Sequence, residues 1–319
     1  MPHTIIYDTD PGVDDATALL FLANHPDIDL VGITTIFGNA SIETTTHNAL
    51  YLCELFGIDA PVAQGEGKAL VRPSTEFYPT FVHGDNGLGN VPVPATLDRA
   101  ADPRPAWQFI VETVKARPGE VTLLAVGRMT NLALALQHAP EIAGLVKEVV
   151  IMGGAFALDG YNGNVTPVAE ANIIGDPHAA DIVFGASWPV VAVGLDVTRK
   201  SVVTSAHLDN LAASGKTSAK FIADISRHYM AYYDRFNAGG FFMHDASAAA
   251  YVVARELFTT RSGPVRVVPD GIAEGQTIQR DPAHWYPPGA WDDRPDQKIC
   301  TDVEAWAVLD LVLGTLVQR

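Results

Sequence analysis

Four aspartates fall within eight residues near the start of the chain: Asp8, Asp10, Asp14 and Asp15. Carboxylates this close together repel one another unless protons or a cation neutralise them. A ligand set made only of oxygen atoms favours a hard cation, Ca²⁺ or Mg²⁺. The alternative is a solvated helix start, where aspartate is common because the helix dipole favours negative charge. One aspartate fits that alternative well, whereas the cluster favours a metal site.

The segment around these aspartates predicts a strand, a sharp turn and a helix. Thr4 to Tyr7 is a short β-prone run. Asp10-Pro11-Gly12 breaks the strand, because proline fixes φ and glycine tolerates positive φ. From Val13 the apolar residues recur at helical spacing. The aspartates therefore follow the carboxyl end of a strand, where open α/β sheets carry their sites.

Strands and helices continue to alternate after this segment. Asp29 to Thr35 predicts a second strand, Ser41 caps a helix that runs to about Phe56, and Pro61 to Ala63 predicts a third strand. This alternation is typical of an α/β protein with a mainly parallel central sheet and crossover helices, a Rossmann-like open sheet. We find no internal repeat or linker and predict one domain over residues 1–319.

Several later segments carry their own predictions. Residues 64–104 are rich in glycine and proline, and so long an irregular stretch predicts a lid near the site. Asp209 to Phe236 is predicted to be mostly helical. Val265 to Val268 and Thr277 to Gln279 predict a small hairpin, and the final helix is expected to start near Val303. Polar or small residues follow five predicted strands and are expected to converge on one crevice: Asp10, Asn39, Val126, Gly153 and Asp196.

The composition restricts the partners and the compartment. The chain has 319 residues and a net charge of −16, which repels phosphate backbones and argues against a nucleic-acid partner. Its two cysteines, Cys53 and Cys300, form no Cys-x-x-Cys motif, which excludes a thiolate metal site. We see no signal peptide and no apolar run long enough to span a membrane. We therefore expect a cytoplasmic protein without a membrane partner that acts on a small molecule.

The run Asp8 to Ala16, Asp-Thr-Asp-Pro-Gly-Val-Asp-Asp-Ala, resembles the N-terminal signature of the inosine–uridine-type nucleoside hydrolases. Four later pieces are similar to motifs of that family in the same order: the turn Gly127 to Asn131, the loop Asn164 to Asn172, Asp176-Pro177 and His244-Asp245. A weaker resemblance is to Mg²⁺-dependent haloacid-dehalogenase-type phosphatases. A non-catalytic nucleoside- or sugar-binding protein is the third alternative.

The family resemblance implies a calcium-dependent enzyme that splits ribonucleosides into free base and ribose. It implies that Ca²⁺ is held by Asp10, Asp15, Asp245 and the main-chain carbonyl of Val126, together with the nucleophilic water and two ribose hydroxyls. Asp10 would also be the base that takes the proton of that water, and Asp14 would bond the 2′-hydroxyl. Further substrate contacts are expected from Asn39, Met152, Asn164, Glu170 and Asn172.

The leaving base needs contacts and a proton donor. His244 is the expected acid, because its usual pKa lies near neutrality, although a core-edge histidine is the alternative. His83 is an expected base contact, and a solvated loop histidine is the alternative. Tyr229 belongs to an aromatic stripe at helical spacing, and packing in a core is the alternative for such a stripe. The resemblance implies that this helix closes over the base, so Tyr229 is an expected substrate contact.

The expected base preference and assembly also come from the resemblance. Purine-specific relatives sandwich the base between tryptophans, and no tryptophan occurs in residues 78–89 or 221–245. This favours pyrimidine or broad base specificity. The relatives form dimers or tetramers, so a homo-oligomer is expected.

Overall fold

The structure is a computed structural model that describes residues 2–73, 77–236, 238–281 and 283–318. Its strands are β1 (His3–Thr9), β2 (Ile28–Thr35), β3 (Val62–Gln64), β4 (Val121–Ala125), β5 (Glu148–Met152), β6 (Val190–Val193), β7 (Val202–Val203), β8 (Phe241–Phe242), β9 (Phe258–Val267), β10 (Thr277–Gln279) and β11 (Asp296–Val303). Its helices are α1 (Val13–Asn24), α2 (Ile42–Phe56), α3 (Thr80–His83), α4 (Ala106–Ala116), α5 (Thr130–His138), α6 (Ala171–Gly175), α7 (Pro177–Gly185), α8 (Leu195–Thr198), α9 (Ser205–Ala213), α10 (Thr217–Asp234), α11 (Asp245–Val253) and α12 (Ala305–Gln318). Two 3₁₀ turns cover Pro140–Gly144 and Arg255–Leu257.

Nine strands form one sheet in the order β10-β9-β11-β6-β5-β4-β1-β2-β3. The strands from β11 to β3 pair in parallel, and β9 and β10 add an antiparallel edge. Strands β7 and β8 form a separate antiparallel pair. The predicted α/β class with a mainly parallel sheet is confirmed.

Both faces of the sheet are covered, because successive side chains of a strand point to opposite faces. In β1, Ile5 and Tyr7 belong to the apolar core that includes residues of α1 and α11. Ile6 belongs to the core on the other face, which includes residues of α4, α5 and α7. The sheet is therefore buried on both sides, and its carboxyl edge is left as the place for a cavity.

The local predictions at the start of the chain are confirmed. Helix α1 begins at Val13, directly after the Asp10-Pro11-Gly12 turn. Ser41 is the N-cap of α2, and its hydroxyl accepts a hydrogen bond from the backbone N–H of Thr44. The predicted hairpin exists as β9 and β10, with Thr277 opposite Val267.

Three further predictions concern the later part of the chain. The final helix begins at Ala305, two residues after the expected start near Val303, and Val303 itself ends β11. The stretch Asp209 to Phe236 belongs to two helices, α9 and α10, with Gly215 between them at φ 76°. Within the predicted lid the structure has the short helix α3, while residues 74–76 lie outside the described residues. None of the helices in the described part of the chain is long and apolar enough to cross a bilayer.

Candidate active site

Asp15 is fixed by the turn between β1 and α1. Its Oδ1 accepts hydrogen bonds from the Thr9 hydroxyl at 2.6 Å and from the backbone N–H of Asp10 at 3.2 Å. Its Oδ2 accepts one from the backbone N–H of Gly12, the N-cap of α1, at 2.9 Å. A carboxylate in the first turn of a helix is stabilised there by the helix N–H groups and dipole. The local chain thus holds this carboxylate in place.

The carboxylate of Asp10 lies between two glycines. Its Oδ2 accepts a hydrogen bond from the backbone N–H of Asn39 at 2.8 Å, while its Oδ1 is buried without a hydrogen-bond partner. A Cβ atom on Gly127 would lie 2.6 Å from that Oδ1, and one on Gly38 would collide with Oδ2. Only glycine leaves room for the carboxylate at these two positions. A buried acceptor without a donor is costly, which indicates a ligand near this oxygen.

A cluster of three carboxylates gathers ligand oxygens of Asp14, Asp15 and Asp245 within 4.8 Å of one another. Oδ1 of Asp14 is buried without a partner, and its Oδ2 accepts a hydrogen bond from the Tyr229 hydroxyl at 3.4 Å. Burial and then the charge of Asp15 raise the pKa of Asp14 to about 8. Burial and the neighbouring carboxylates raise the pKa of Asp245 well above its usual value.

The donor set of this cluster fits a hard divalent cation. Three buried carboxylates cannot all be charged without a counter-charge, and a cation supplies it. All the available donors are oxygen atoms, which is the preference of Ca²⁺ and Mg²⁺. The charged forms of these aspartates and a bound cation therefore stabilise each other.

A cavity of about 510 Å³ opens beside this cluster. It is lined by eleven of the predicted site residues: Asp14, Asn39, His83, Val126, Met152, Asn164, Glu170, Asn172, Tyr229, His244 and Asp245. The other two, Asp10 and Asp15, are buried in the turn that carries Asp14. The predicted residues therefore come together, although they are spread over more than 230 positions of the chain.

Several of the predicted sugar contacts also hold the cavity wall together. The Asn172 amide Nδ2 donates to the carbonyl oxygens of Val126 at 2.7 Å and Met152 at 3.1 Å. Glu170 is the N-cap of α6 and accepts hydrogen bonds from the backbone N–H groups of Asn172, Ile173 and Gly154. These hydrogen bonds connect the carboxyl ends of β4 and β5 to the first residues of α6.

Asn164 and Asn39 play similar double roles. The Oδ1 of Asn164 accepts a hydrogen bond from the backbone N–H of Ala171 at 3.0 Å. The amide Nδ2 of Asn39 donates to Oδ2 of Asp15 at 2.9 Å and to the main-chain oxygen of Asp10 at 3.2 Å. Both side chains face the cavity while they brace the loops that carry them.

His244 is the N-cap residue of α11 and is buried at the cavity wall. Its Nδ1 lies 2.8 Å from the Thr198 hydroxyl and its Nε2 lies 3.2 Å from the Tyr233 hydroxyl. Burial, followed by the charge of Arg199, lowers the pKa of His244 to about 4. The imidazole is therefore neutral near pH 7 and carries a proton on one nitrogen only.

His83 is buried and is not the solvated loop residue of the alternative prediction. Its Nδ1 accepts a hydrogen bond from the backbone N–H of Val13 at 3.3 Å. Although this nitrogen lies 3.8 Å from Oδ1 of Asp14, burial lowers the pKa of His83 to about 3, so the two form no ion pair near neutral pH. Its ring faces Tyr229 with a centroid distance of 5.3 Å.

The aromatic stripe of α10 lines the cavity, which differs from the alternative of packing only in a core. Tyr229, Tyr232 and Tyr233 face the cavity, as does Phe236 just beyond the helix. Only Tyr229 is also fully buried.

The sequence reasoning missed Arg199, Tyr161 and Phe242, which also line the cavity. Arg199 follows β6 closely, as Asp196 does, so the rule that sites follow strands would have pointed to this region. Arg128, in the turn after β4, packs its guanidinium over the Phe37 ring at 4.1 Å.

Parallel strands that end at a polar cavity with a buried acidic cluster define an α/β enzyme with a metal-dependent site. Comparison with known proteins identifies the family of this enzyme. Residues 5–310 match the family model described as inosine-uridine preferring nucleoside hydrolase. The chain belongs to this family.

Individual relatives agree with that assignment over nearly the whole chain. A protein named probable uridine nucleosidase 2 from Arabidopsis thaliana is 39% identical over 317 residues, which cover 98% of this chain and 97% of that protein. The solved structure of a plant nucleoside hydrolase, PpNRh1, has a TM-score of 0.96 at 36% identity and covers 100% of both chains. A purine-preferring ribonucleoside hydrolase from Gardnerella vaginalis has a TM-score of 0.91 at 33% identity and covers 98% of both chains.

Proposed function

We propose that this protein hydrolyses the N-glycosidic bond of ribonucleosides and releases the free base and ribose. The observation that carries the proposal is the convergence of Asp14, Asp15 and Asp245 beside a cavity of about 510 Å³. A cavity of this size suits a small molecule. Membership of the nucleoside hydrolase family supports the same reaction.

The proposed metal is Ca²⁺, with Asp10, Asp15, Asp245 and the carbonyl oxygen of Val126 as its ligands. The unpartnered Oδ1 of Asp10 supports this set, because it lies against Gly127, the residue that follows Val126. When bound, the ion supplies Lewis-acid activation of a water molecule.

Asp10 takes the proton of the attacking water in this proposal. As the bond to the base breaks, positive charge develops on the ribose, and the buried carboxylates stabilise it because they are already in place. Asp14, whose Oδ1 has no partner in the protein, accepts the hydrogen bond of the 2′-hydroxyl. The remaining sugar contacts are assigned to Asn39, Met152, Asn164, Glu170 and Asn172.

His244 is the proposed donor to the leaving base. Its imidazole is neutral near pH 7, so it acts through the single N–H that it carries and through its hydrogen bonds to Thr198 and Tyr233. His83 and Tyr229 are proposed to contact the base. Their rings lie side by side in the cavity wall.

The proposed base specificity is pyrimidine-preferring or broad. We further propose that the protein is cytoplasmic and forms a homo-oligomer, a dimer or tetramer. Each chain is proposed to be a single domain. The continuous nine-stranded sheet supports one domain.

The experiment that tests the proposed function is a panel of ribonucleosides scored for release of ribose and of free base. Uridine, cytidine, inosine and adenosine are compared with p-nitrophenyl phosphate, the substrate that a phosphatase would cleave. Ribose release with no phosphate release is the expected result. Phosphate release, or tight nucleoside binding without ribose release, would contradict the proposal.

A further inference from the structure

Arg199 lies in the wall of the cavity and has no role in the proposed reaction so far. It follows α8 directly, and its backbone N–H donates to the carbonyl oxygen of Leu195. Among the described residues that line the cavity, it is the single arginine or lysine. It is thus the one guanidinium or ammonium group among the described side chains of the cavity wall.

The guanidinium of Arg199 is stacked on aromatic rings, and it has no hydrogen-bond acceptor among the described residues. Its Cζ lies 3.4 Å from the centroid of the Tyr161 ring and 5.4 Å from that of Phe242. Its Nε is buried without a hydrogen-bond partner, and no ion pair joins it to any carboxylate in the described chain. When an arginine stacks on an aromatic ring, its N–H groups point outward from the edge of the guanidinium plane and can donate to a ligand.

Unpaired buried donors are expensive, so this arrangement indicates an acceptor that arrives with the substrate. The aromatic rings around Arg199 suit a flat, unsaturated ring system, whereas the carboxylates suit the sugar. A base with a ring carbonyl oxygen supplies such an acceptor. Uracil has two such oxygens and hypoxanthine has one, whereas adenine has none.

We propose that Arg199 binds the base of the ribonucleoside through a ring carbonyl oxygen and stabilises the negative charge that the base acquires as the glycosidic bond breaks. The inference rests on the proposed function and deepens it.

In uridine, the bond between C1′ and the ring nitrogen breaks. Its electron pair stays on uracil, where it is shared with the two carbonyl oxygens. The hydroxyl of water joins C1′, and the proton of that water passes to Asp10. The single N–H of His244 donates a hydrogen bond to the base as negative charge develops, and the ring nitrogen of the departing uracil anion then takes up one proton from water. Asp10 returns its proton to solvent, so no proton is gained or lost overall. Preorganised donors that face developing charge in this way are worth about 10²–10³-fold in rate.

The test compares uridine with 5-fluorouridine, whose base is a more acidic leaving group of nearly the same shape. Arg199→Met keeps an unbranched apolar side chain at this position but removes the charge, the N–H donors and the guanidinium that stacks over Tyr161. We expect kcat/KM for uridine to fall by roughly 10²-fold, and that for 5-fluorouridine to fall by a clearly smaller factor, since its anion needs less stabilisation. The inhibition constant of ribose should stay within about twofold, because the sugar contacts are untouched.

Arg227→Met is the matched control, because Arg227 is 70% exposed on α10 and loses the same charge. This variant should have the same kcat/KM as the wild type for uridine and for 5-fluorouridine. Arg199→Lys keeps the charge but loses the planar guanidinium, so its kcat/KM for uridine should lie between the values of the wild type and Arg199→Met. If Arg199→Met does not fold, Arg199→Lys provides the comparison of uridine with 5-fluorouridine.

An equal loss of kcat/KM for both nucleosides, or a weaker binding of ribose, would overturn the inference. A residue that only supports the cavity wall through its contact with Tyr161 would produce those results. Failure of the proposed function looks different: the wild type itself would release no ribose from either nucleoside.

Discussion

The hydroxyl oxygen of Tyr233 lies 3.2 Å from Nε2 of His244. On its other side the imidazole meets the Thr198 hydroxyl. A neutral imidazole donates from one nitrogen and accepts at the other, so the two hydroxyls set which nitrogen carries the proton. The cavity therefore holds His244 in a defined orientation before a nucleoside enters.

The pKa of His244 does not lie near neutrality as expected, so its neutral imidazole acts as a hydrogen-bond donor to the leaving base. Replacing His244 with alanine should slow natural ribonucleosides by roughly 10²–10³-fold, the usual worth of one preorganised donor that faces developing charge. p-Nitrophenyl riboside should be almost unaffected, because its leaving group departs without a proton. The measurement is kcat/KM for uridine and for the p-nitrophenyl riboside.

His284→Ala serves as the control for this variant, because His284 is 70% exposed and lies outside the cavity lining. An equal loss on the two substrates of His244→Ala would show that His244 positions the sugar or supports the fold, and the acid would then be sought in Tyr229, Tyr233 or His83.

The sugar should be recognised stringently through Asp14. Its Oδ1 is buried without a partner in the protein, and the absence of the 2′-hydroxyl leaves that oxygen unpaired. A site built around a hydroxyl rejects the analogue that lacks it, so 2′-deoxyuridine should have a kcat/KM lower than that of uridine by on the order of 10³-fold or more. Asp14→Asn should narrow this ratio, whereas Asp310→Asn on the exposed face of α12 should leave it unchanged. Similar kcat/KM values for the two nucleosides in the wild type would rule out this role of Asp14.

Gly127→Ala should disturb the Asp10 carboxylate. The new Cβ would lie 2.6 Å from Oδ1 of Asp10, so the carboxylate has to move. We expect calcium affinity and turnover of uridine to fall at least about tenfold, with a loss of roughly 1–3 kcal/mol in the free energy of unfolding from overpacking. Gly144→Ala is the control, because a Cβ there meets no atom within 4 Å. Unchanged calcium binding in Gly127→Ala would show that Oδ1 of Asp10 is not part of the metal site.

Asn131 should be a structural residue rather than a substrate contact. Its amide donates to Oδ2 of Asp8 at 2.8 Å and to the carbonyl of Thr35 at 2.9 Å, and its Oδ1 accepts from the N–H of Glu66 at 3.1 Å. Asn131→Ala should lower the free energy of unfolding by about 2–4 kcal/mol, because buried donors and acceptors lose their partners. Urea denaturation measures this change. Asn210→Ala, at an exposed position of α9, should stay within about 0.5 kcal/mol of the wild type, and the same small effect at Asn131 would contradict the assignment.

Local signals were enough to predict the start of the site. The Asp10-Pro11-Gly12 turn and the Ser41 cap are encoded by neighbouring residues, so their predicted positions agree with the structure. The convergence of the later site residues followed from the parallel sheet, because the carboxyl ends of parallel strands share one edge.

Long-range contacts explain what the sequence did not reveal. Strand β11 was missed because it carries polar residues that do not read as a buried strand. Its Gln297 is nevertheless buried, because its side chain accepts from the N–H of Val190 and donates to the carbonyls of Phe184 and Trp188. Glu170 was predicted only as a sugar contact, and its capping of α6 emerged from the geometry.

The direct test of the whole account is ribose release from uridine as a function of calcium. The purified protein is stripped of metal with a chelator, and activity is followed as Ca²⁺ is added back, for the wild type and for Asp10→Ala. The account predicts that stripping abolishes ribose release, that Ca²⁺ restores it saturably, and that Asp10→Ala stays inactive at every calcium concentration while it remains folded. Equal ribose release before and after exhaustive removal of metal would contradict it.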